Sequence, residues 1–340
     1  MTTSTLLTRV ALFAGLILVV QAGIGRADLP EELVRFRTAL QDRADVLFFC
    51  DSTNRAHAPD DVDQRGVHEL IAERLSSSAV GDVDLVSIDH AAYHPLVYRD
   101  YIDALLRSEH RPRAVIFALN TRSFLPGWAM RPGWQFERLR FSLHHPIGAL
   151  FWQPLAVFKW TQSASISERR FREAPVILGG VRSGSIGDYL RGNDPEAIAT
   201  PELLAEDLAL RLTVNYLGTI GVDDARAVAL RQAVTRCVAA GIDVVGYVTP
   251  VDIDAGEQYL PGRFADAVAA NAEVLARIVD EAGGRCLNAV RLGEQHAADT
   301  GSSMFSWQRI PNEHLDETGR AMLADQVAAS AAQWLTRRER

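Results

Sequence analysis

Three side chains that lie far apart in the chain have the chemical types that acyl transfer requires. They are the hydroxyl of Ser52, the amide of Asn120 and the imidazole of His314. Such a reaction needs a nucleophile, a base that accepts its proton, and hydrogen-bond donors for the oxyanion that forms. The chemistry is therefore available only if the fold brings the three side chains together.

Ser52 follows the stretch Val46–Cys50, whose apolar, β-favouring residues predict a buried central strand. Open α/β sheets bind their ligands at the carboxyl ends of such strands. The polar turn that follows, through Arg55, would leave the Ser52 hydroxyl free to react. The competing interpretation is that Asp51 and Ser52 only cap the next element, since both residue types are common at N-caps and turns.

Strands and helices alternate along the sequence, and this pattern predicts one parallel sheet with right-handed crossovers. Asn120 ends the third predicted strand, and His314 directly precedes the last predicted helix. The fold class expected is therefore α/β, a three-layer sandwich around a mostly parallel five-stranded sheet. The predicted strands are Val46–Cys50, Val83–Ile88, Ala114–Leu119, Ile242–Thr249 and Cys286–Leu292. The predicted helices that flank them are Leu29–Arg43, Val67–Leu75, Tyr93–Leu106, Arg263–Glu281 and Leu315–Arg337.

Between residue 121 and about residue 240 the alternation stops. We interpret this segment as a large, mostly helical insertion within a single domain over residues 28–340. Its predicted helices are Pro201–Leu217 and Asp223–Ala240. Its aromatic side chains, Trp128 and Trp134 among them, either line a substrate groove or form the core of the insertion itself.

Residues 1–27 have the layout of a targeting segment. A short polar stretch precedes the apolar run Val10–Ile24, and Gly25 and Ala27 are the small residues of a cleavage site before Asp28. The alternative is an uncleaved anchor that associates with the membrane, although the apolar run is shorter than the roughly 20 residues of a full span. Both interpretations place the globular part outside the cytoplasm, in the periplasm or the extracellular space.

The composition excludes several classes of partner and cofactor. The chain of 340 residues has a formal net charge of −8, whereas a nucleic-acid partner would require a basic face. The three cysteines, Cys50, Cys237 and Cys286, are an odd number at wide spacing, and they form neither a disulfide framework nor a zinc motif. No metal and no organic cofactor is implied.

Around the three candidate residues the chain resembles the SGNH (GDSL-like) hydrolase superfamily, over about 28–120 and 240–335. Cys50-Asp51-Ser52 resembles the family's Gly-Asp-Ser block, with Cys in place of Gly. Ala118–Thr121 resembles the Gly-x-Asn-Asp block in its Asn alone, and Pro311–Leu315 resembles the Asp-x-x-His-Leu block. The resemblance implies an SGNH/flavodoxin-like sheet with Ser52 as nucleophile, Asn120 as oxyanion donor and His314 as general base.

The chain departs from the family pattern at three positions, one of which is the aspartate after the block-three asparagine, replaced here by Thr121. The glycine of the second block, an oxyanion donor, has no clear counterpart, and by position Ala91 or His90 would take its place. Pro311 replaces the aspartate that orients the histidine. Glu313 or Asp316 would then orient the ring, or a backbone carbonyl would.

Two further polar residues are candidates for substrate contact. Asp51 precedes the nucleophile, and Arg122 follows Asn120 by two positions. The Arg122 guanidinium would hold an anionic group of the substrate, or it would form a surface ion pair with no part in binding.

Within the superfamily, the chain is most similar to exported proteins of bacterial envelopes, including those that act on polysaccharide O-acetyl groups. We therefore expect a serine-dependent ester hydrolase or O-acyltransferase with an acylated, carbohydrate substrate. The alternative is a catalytically inactive SGNH-like envelope protein that binds glycan or a partner in polysaccharide assembly. The departures at positions 91 and 311 favour the inactive protein, and the intact Ser52, Asn120 and His314 favour the enzyme.

Overall fold

The computed structural model describes residues 3–27, 29–56, 61–78, 81–129, 134–145, 176–178, 181–183, 201–306 and 312–335. The strands are β1 Val46–Cys50, β2 Leu85–Asp89, β3 Ala114–Leu119, β4 Val176–Leu178, β5 Val181–Ser183, β6 Asp243–Val248 and β7 Arg285–Asn288. The helices of the first half are α1 Thr3–Ala27, α2 Glu31–Gln41, α3 Val67–Ser76, α4 Pro95–Leu106, α5 Pro126–Ala129 and α6 Glu137–His144. The helices of the second half are α7 Pro201–Tyr216, α8 Ala225–Ala239, α9 Ile253–Tyr259, α10 Phe264–Glu281, α11 Leu292–Thr300 and α12 Glu317–Leu335.

A parallel sheet in the order β2-β1-β3-β6-β7 forms the centre of the fold. Counted along the chain, this is the order 2-1-3-4-5 of flavodoxin-like sheets. The predicted α/β class with a five-stranded parallel sheet is confirmed. Because β1 and β3 are adjacent and parallel, the residues that follow Cys50 and Leu119 emerge at the same edge of the sheet.

Helices cover both faces of the sheet. Successive side chains of a strand point to opposite faces, and every residue of β1 is buried, so neither face is open to solvent at this strand. Leu47 and Phe49 pack into the larger apolar cluster with α2, α4, α8 and α10. Val46, Phe48 and Cys50 pack into a second cluster with α3 and α12. The two clusters and the sheet between them make the predicted three layers.

The last strand is shorter than predicted. It ends at Asn288, and Leu292 begins α11 instead of ending a strand. The Asn288 side chain accepts a hydrogen bond from Val290 N at 3.3 Å, which turns the chain out of the sheet. Ala289, Val290 and Leu292 are nevertheless buried. The apolar pattern of this segment therefore predicts that its residues are buried, but it does not distinguish a strand from a turn and the start of a helix.

The predicted insertion contains a helix that belongs to the layers of the sheet. Helix α8 packs against α4 and α10 and leads within a few residues into β6, as a crossover helix does. Phe124 and Trp128 are buried, which is the core arrangement rather than an open groove. Residues 146–175 and 184–200 of the predicted insertion lie outside the described residues.

Helix α1 presents its apolar side chains to its surroundings, with Leu12 and Val19 each 70% exposed. Among the residues that the structure describes, no helix is both long enough and apolar enough to cross a membrane.

Candidate active site

The turn that carries Ser52 begins directly at the carboxyl end of β1. Residues Ser52–Asn54 form a single 3₁₀ turn, and Asp51 caps it, since its Oδ1 accepts a hydrogen bond from Thr53 N at 2.9 Å. The capping interpretation therefore holds for Asp51. It does not account for Ser52, whose half-buried hydroxyl oxygen lies 3.1 Å from Nε2 of His314. A serine and an imidazole in hydrogen-bond contact are a nucleophile and base pair in geometry.

His314 reaches Ser52 from the segment before α12, and its backbone is held on both sides. His314 N donates to Asn312 Oδ1 at 2.8 Å, and its carbonyl accepts from Ser306 N at 2.8 Å. The neighbouring Leu315 pairs with Phe305 in an isolated antiparallel bridge. His314 itself is only 6% exposed. The ring therefore approaches the hydroxyl from a constrained backbone; Pro311, where the family has its aspartate, lies outside the described residues.

Asn120 reaches the same edge from the end of β3. Its Oδ1 caps a second 3₁₀ turn, Thr121–Phe124, by accepting from Arg122 N at 3.2 Å. Its Nδ2 donates to Asp51 Oδ2 at 3.1 Å. Both carboxylate oxygens of Asp51 are thus engaged by the chain, and Asp51 is 2% exposed. Asp51 therefore holds the amide of Asn120 in place, and its predicted contact with substrate stays a prediction.

Arg122 is largely shielded from solvent, unlike a residue in a surface ion pair. Its side chain is 14% exposed, and its Nη2 lies 2.9 Å from Oε2 of Glu313, which is completely buried. The Tyr216 hydroxyl donates to the other oxygen of that carboxylate. The guanidinium carbon of Arg122 lies 4.1 Å from the ring centroid of Trp128. Arg122 therefore contacts groups of the chain itself, and its predicted contact with an anionic part of a substrate stays a prediction.

Burial and charge act against each other in this cluster. Burial raises the pKa of Glu313, and the facing Arg122 guanidinium and Tyr216 hydroxyl oppose that rise. For Arg122, burial is the largest single effect and works against the charge, but Glu313, Tyr216 and Asp51 together outweigh it, and the pKa is raised. The pair is an ionic contact shielded from solvent, so the loss of either partner leaves a buried charge without compensation.

The two acids proposed as orienters of His314 have other partners in the described structure. The Glu313 carboxylate contacts Arg122 and Tyr216, as given above. Asp316 Oδ1 accepts from Gly319 N at 2.8 Å, which is the contact of an N-cap at the start of α12. These contacts are not with the imidazole of His314 itself, so Glu313 could act on the imidazole only through the backbone that joins it to His314.

The turn after β2 holds the positions proposed for the second oxyanion donor. The His90 ring packs edge-to-face against Phe136, and its Nδ1 lies 2.8 Å from the Ala91 carbonyl oxygen. The next residue, Ala92, is buried and has a φ of +67°, in the region that favours glycine. Ala92 is therefore the residue of this turn whose backbone has the conformation of a glycine position. Because the residue is alanine and not glycine, the sequence did not indicate a positive φ at this position.

A cavity of about 430 Å³ adjoins the segment that carries His314. Asp252, which lines it, donates its N–H to Asn312 O at 3.0 Å, and Phe305, which also lines it, pairs with Leu315. Among the residues that the structure describes, the lining includes Asp252, Asp254 and Glu294 but no lysine or arginine. Burial, and then the nearby Asp254, raise the pKa of Asp252 to about 6, although its Oδ1 accepts from Ala255 N. The acidic wall disfavours an anionic ligand here.

In the part of the chain that the structure describes, one group of side chains has the spacing of metal ligands. It consists of Asp100, Asp103 and His144. Asp100 already forms ion pairs with Arg140 at 2.5 Å and with Arg99 at 2.8 Å. The negative charge that a cation would need is therefore already neutralised by the protein.

Comparison with known proteins finds likeness only at the level of three-dimensional structure. No family model and no curated protein matches the chain. Solved structures of mutants of Axe2, an acetylxylan esterase from Geobacillus stearothermophilus, are similar over 85% of this chain and 93% of theirs. One has 12% identity and a TM-score of 0.42, and another, named as an acetyl-xylooligosaccharide esterase, has 13% identity and a TM-score of 0.41. A superposition this loose carries no argument about substrate or mechanism.

Proposed function

We propose that the protein is a serine-dependent esterase or O-acyltransferase that acts on an acylated carbohydrate in the cell envelope. The observation that carries the proposal is the 3.1 Å contact between Ser52 Oγ and His314 Nε2 at the carboxyl edge of a parallel sheet. Asn120 supports it, because its side-chain amide emerges from the adjacent strand at that edge. The carbohydrate substrate and the location outside the cytoplasm rest on the resemblance to exported SGNH proteins and on residues 1–27.

In the first half of the reaction, His314 Nε2 takes the proton of the Ser52 hydroxyl as Oγ attacks the ester carbonyl carbon. The negative charge that develops on the carbonyl oxygen is stabilised by N–H donors. The amide nitrogen of Asn120 has two hydrogens, and Asp51 accepts one of them. Collapse of the intermediate breaks the bond to the carbohydrate oxygen, and this oxygen takes from His314 the proton that came from Ser52. The acyl group stays on Ser52 as an acyl-serine.

In the second half, His314 takes a proton from the acceptor as the acceptor oxygen attacks the carbonyl carbon of the acyl-serine. Collapse of this intermediate breaks the bond between the acyl group and Ser52 Oγ, and Oγ takes the proton that His314 holds. Water as acceptor releases a carboxylic acid, and a sugar hydroxyl as acceptor yields a new ester. The same residues serve both outcomes. Hydrolysis and transfer differ in whether the site binds a sugar acceptor and excludes water.

The test is labelling and turnover of the purified full-length protein with a fluorophosphonate probe and p-nitrophenyl acetate. We expect the wild type to label and to turn over, and Ser52→Ala to do neither. Ser77→Ala, which changes an exposed serine at the end of α3, is the matched control and should behave as the wild type does. If the folded wild type does not react with the probe, the enzyme proposal fails and the glycan-binding alternative is favoured.

A further inference from the structure

We propose that Arg122, Glu313 and Tyr216 are positioning residues that set the nucleophile, the base and the oxyanion amide as one unit. The inference rests on the proposed function and deepens it. It names the side chains that do the work of the aspartate that the family places three residues before the histidine.

The observation is a closed ring of contacts around the site. Three of its links join different chain segments: Ser52 to His314 at 3.1 Å, Glu313 to Arg122 at 2.9 Å, and Asn120 to Asp51 at 3.1 Å. One link is local, from Arg122 N to Asn120 Oδ1. The remaining links are the peptide bonds between sequence neighbours. In order, the ring runs through Ser52, Asp51, Asn120, Arg122, Glu313 and His314.

The ring matters because the sheet alone does not determine where these groups lie. The three segments leave the regular structure before their functional residues begin, so the hydrogen bonds of the strands do not set their side-chain positions. The contact between Asn120 and Asp51 holds the turn after β1 against the turn after β3. The contact between Arg122 and Glu313 holds the segment before α12 against that same turn. Since a misplacement of about 1 Å can cost about 100-fold in rate, contacts of this kind are functionally significant.

Burial makes the ring rigid. Glu313 is 0% exposed, and Asp51 and Asn120 are 2% and 3% exposed. Opposite charges that are shielded from water attract each other more strongly than the same charges do at the surface. The buried ion pair therefore holds the residue that precedes His314 more firmly than an exposed pair would.

Tyr216 fixes the carboxylate from a third direction. It is the last residue of α7, its hydroxyl donates to Glu313, and its ring packs edge-to-face on Phe264 at 5.1 Å. The chain after it is pinned by Asn271, whose Nδ2 donates to Gly218 O at 2.7 Å. A helix of the predicted insertion thus contacts the residue that precedes the proposed base.

The test uses Glu313→Gln and Tyr216→Phe in the full-length protein, with Asp100→Asn as the control. Asp100 is also a fully buried carboxylate in ion pairs, but it lies on α4 and contacts none of the ring residues. We expect Glu313→Gln to lower kcat for p-nitrophenyl acetate by about 100-fold with KM changed less than about twofold. Tyr216→Phe, which keeps the charge pair, should lower kcat less, and Asp100→Asn should leave kcat per folded molecule unchanged.

A second measurement does not depend on turnover. Nitrogen-15 spectra of the imidazole, assigned with a His314→Gln spectrum, report which ring nitrogen carries the proton. We expect two well-separated nitrogen shifts in the wild type and in Asp100→Asn, because an imidazole held in one orientation keeps one tautomer. In Glu313→Gln the two shifts should move toward each other, because the imidazole of His314 is no longer held in one tautomer.

The two readouts separate the two proposals. If the wild type is inactive but the nitrogen shifts behave as expected, the proposed function fails and the positioning role stands. If the wild type is active, and Glu313→Gln matches Asp100→Asn in kcat or matches the wild type in its nitrogen shifts, the positioning role is refuted.

Discussion

Replacing Glu313 by Gln removes one charge from a buried ion pair and leaves the Arg122 guanidinium without its counter-charge. Breaking a buried pair in this way costs about 3–5 kcal/mol in the free energy of unfolding. Two features place the expected loss at the lower end, about 3 kcal/mol. The glutamine oxygen still accepts from Tyr216, and Arg122 is 14% exposed and keeps its contact with the Trp128 ring.

The assay is urea unfolding of the full-length chain near neutral pH. The control variant is Glu281→Gln, which removes one partner of the exposed pair with Arg277 at 4.0 Å and should change stability by less than about 0.5 kcal/mol. In the double variant Arg122→Met with Glu313→Gln, no buried charge remains at this position. We therefore expect most of the loss to be recovered, to within about 1 kcal/mol of the wild type.

Salt provides an independent check, because a buried pair is screened far less than an exposed one. The loss in Glu313→Gln should persist in high salt. The reasoning is refuted if Glu313→Gln unfolds within about 0.5 kcal/mol of the wild type, or if the double variant is no more stable than the single one.

Three further changes test other parts of the structure by urea or thermal unfolding. In the folded protein the pKa of Asp252 is raised to about 6. Between about pH 4 and 6 the folded protein therefore binds more protons at this residue than the unfolded chain does. As a result, Asp252 lowers the free energy of unfolding as the pH rises through that window. Asp252→Asn, which keeps the helix cap, should therefore stabilise by about 1–2 kcal/mol at pH 8, allowing for partial solvent access, and very little at pH 4; an equal effect at both pH values would contradict this. The buried Tyr247 hydroxyl has no hydrogen-bond partner among the described residues, so Tyr247→Phe should raise stability by about 1 kcal/mol, and a loss would show that the hydroxyl is satisfied. Gly256→Ala places a methyl group into the Phe264 ring and should cost about 1–3 kcal/mol, whereas Gly15→Ala, with open space around it, should cost nothing measurable.

The strands of the sheet could be predicted because buried parallel strands require continuous apolar runs, and Ala114–Leu119 is such a run with the same bounds in the structure. The same rule failed at Cys286–Leu292, since apolar residues in a turn and at a helix start are buried equally well. The helix Asp223–Ala240 was recognised as a helix, but its packing against α4 as a crossover element depends on contacts with residues far away in the chain.

The amino-acid sequence by itself determined that Ser52 and Asn120 follow buried strands and that His314 precedes a helix, because local polarity and hydrophobic runs set where elements end. The proximity of the hydroxyl and the imidazole was predicted from the strand order and is observed at 3.1 Å. The tertiary structure alone decided the partners of Arg122 and Glu313. Glu313 is adjacent to His314, but neighbouring side chains in an extended segment point in different directions, so its carboxylate lies against Arg122 and Tyr216 instead.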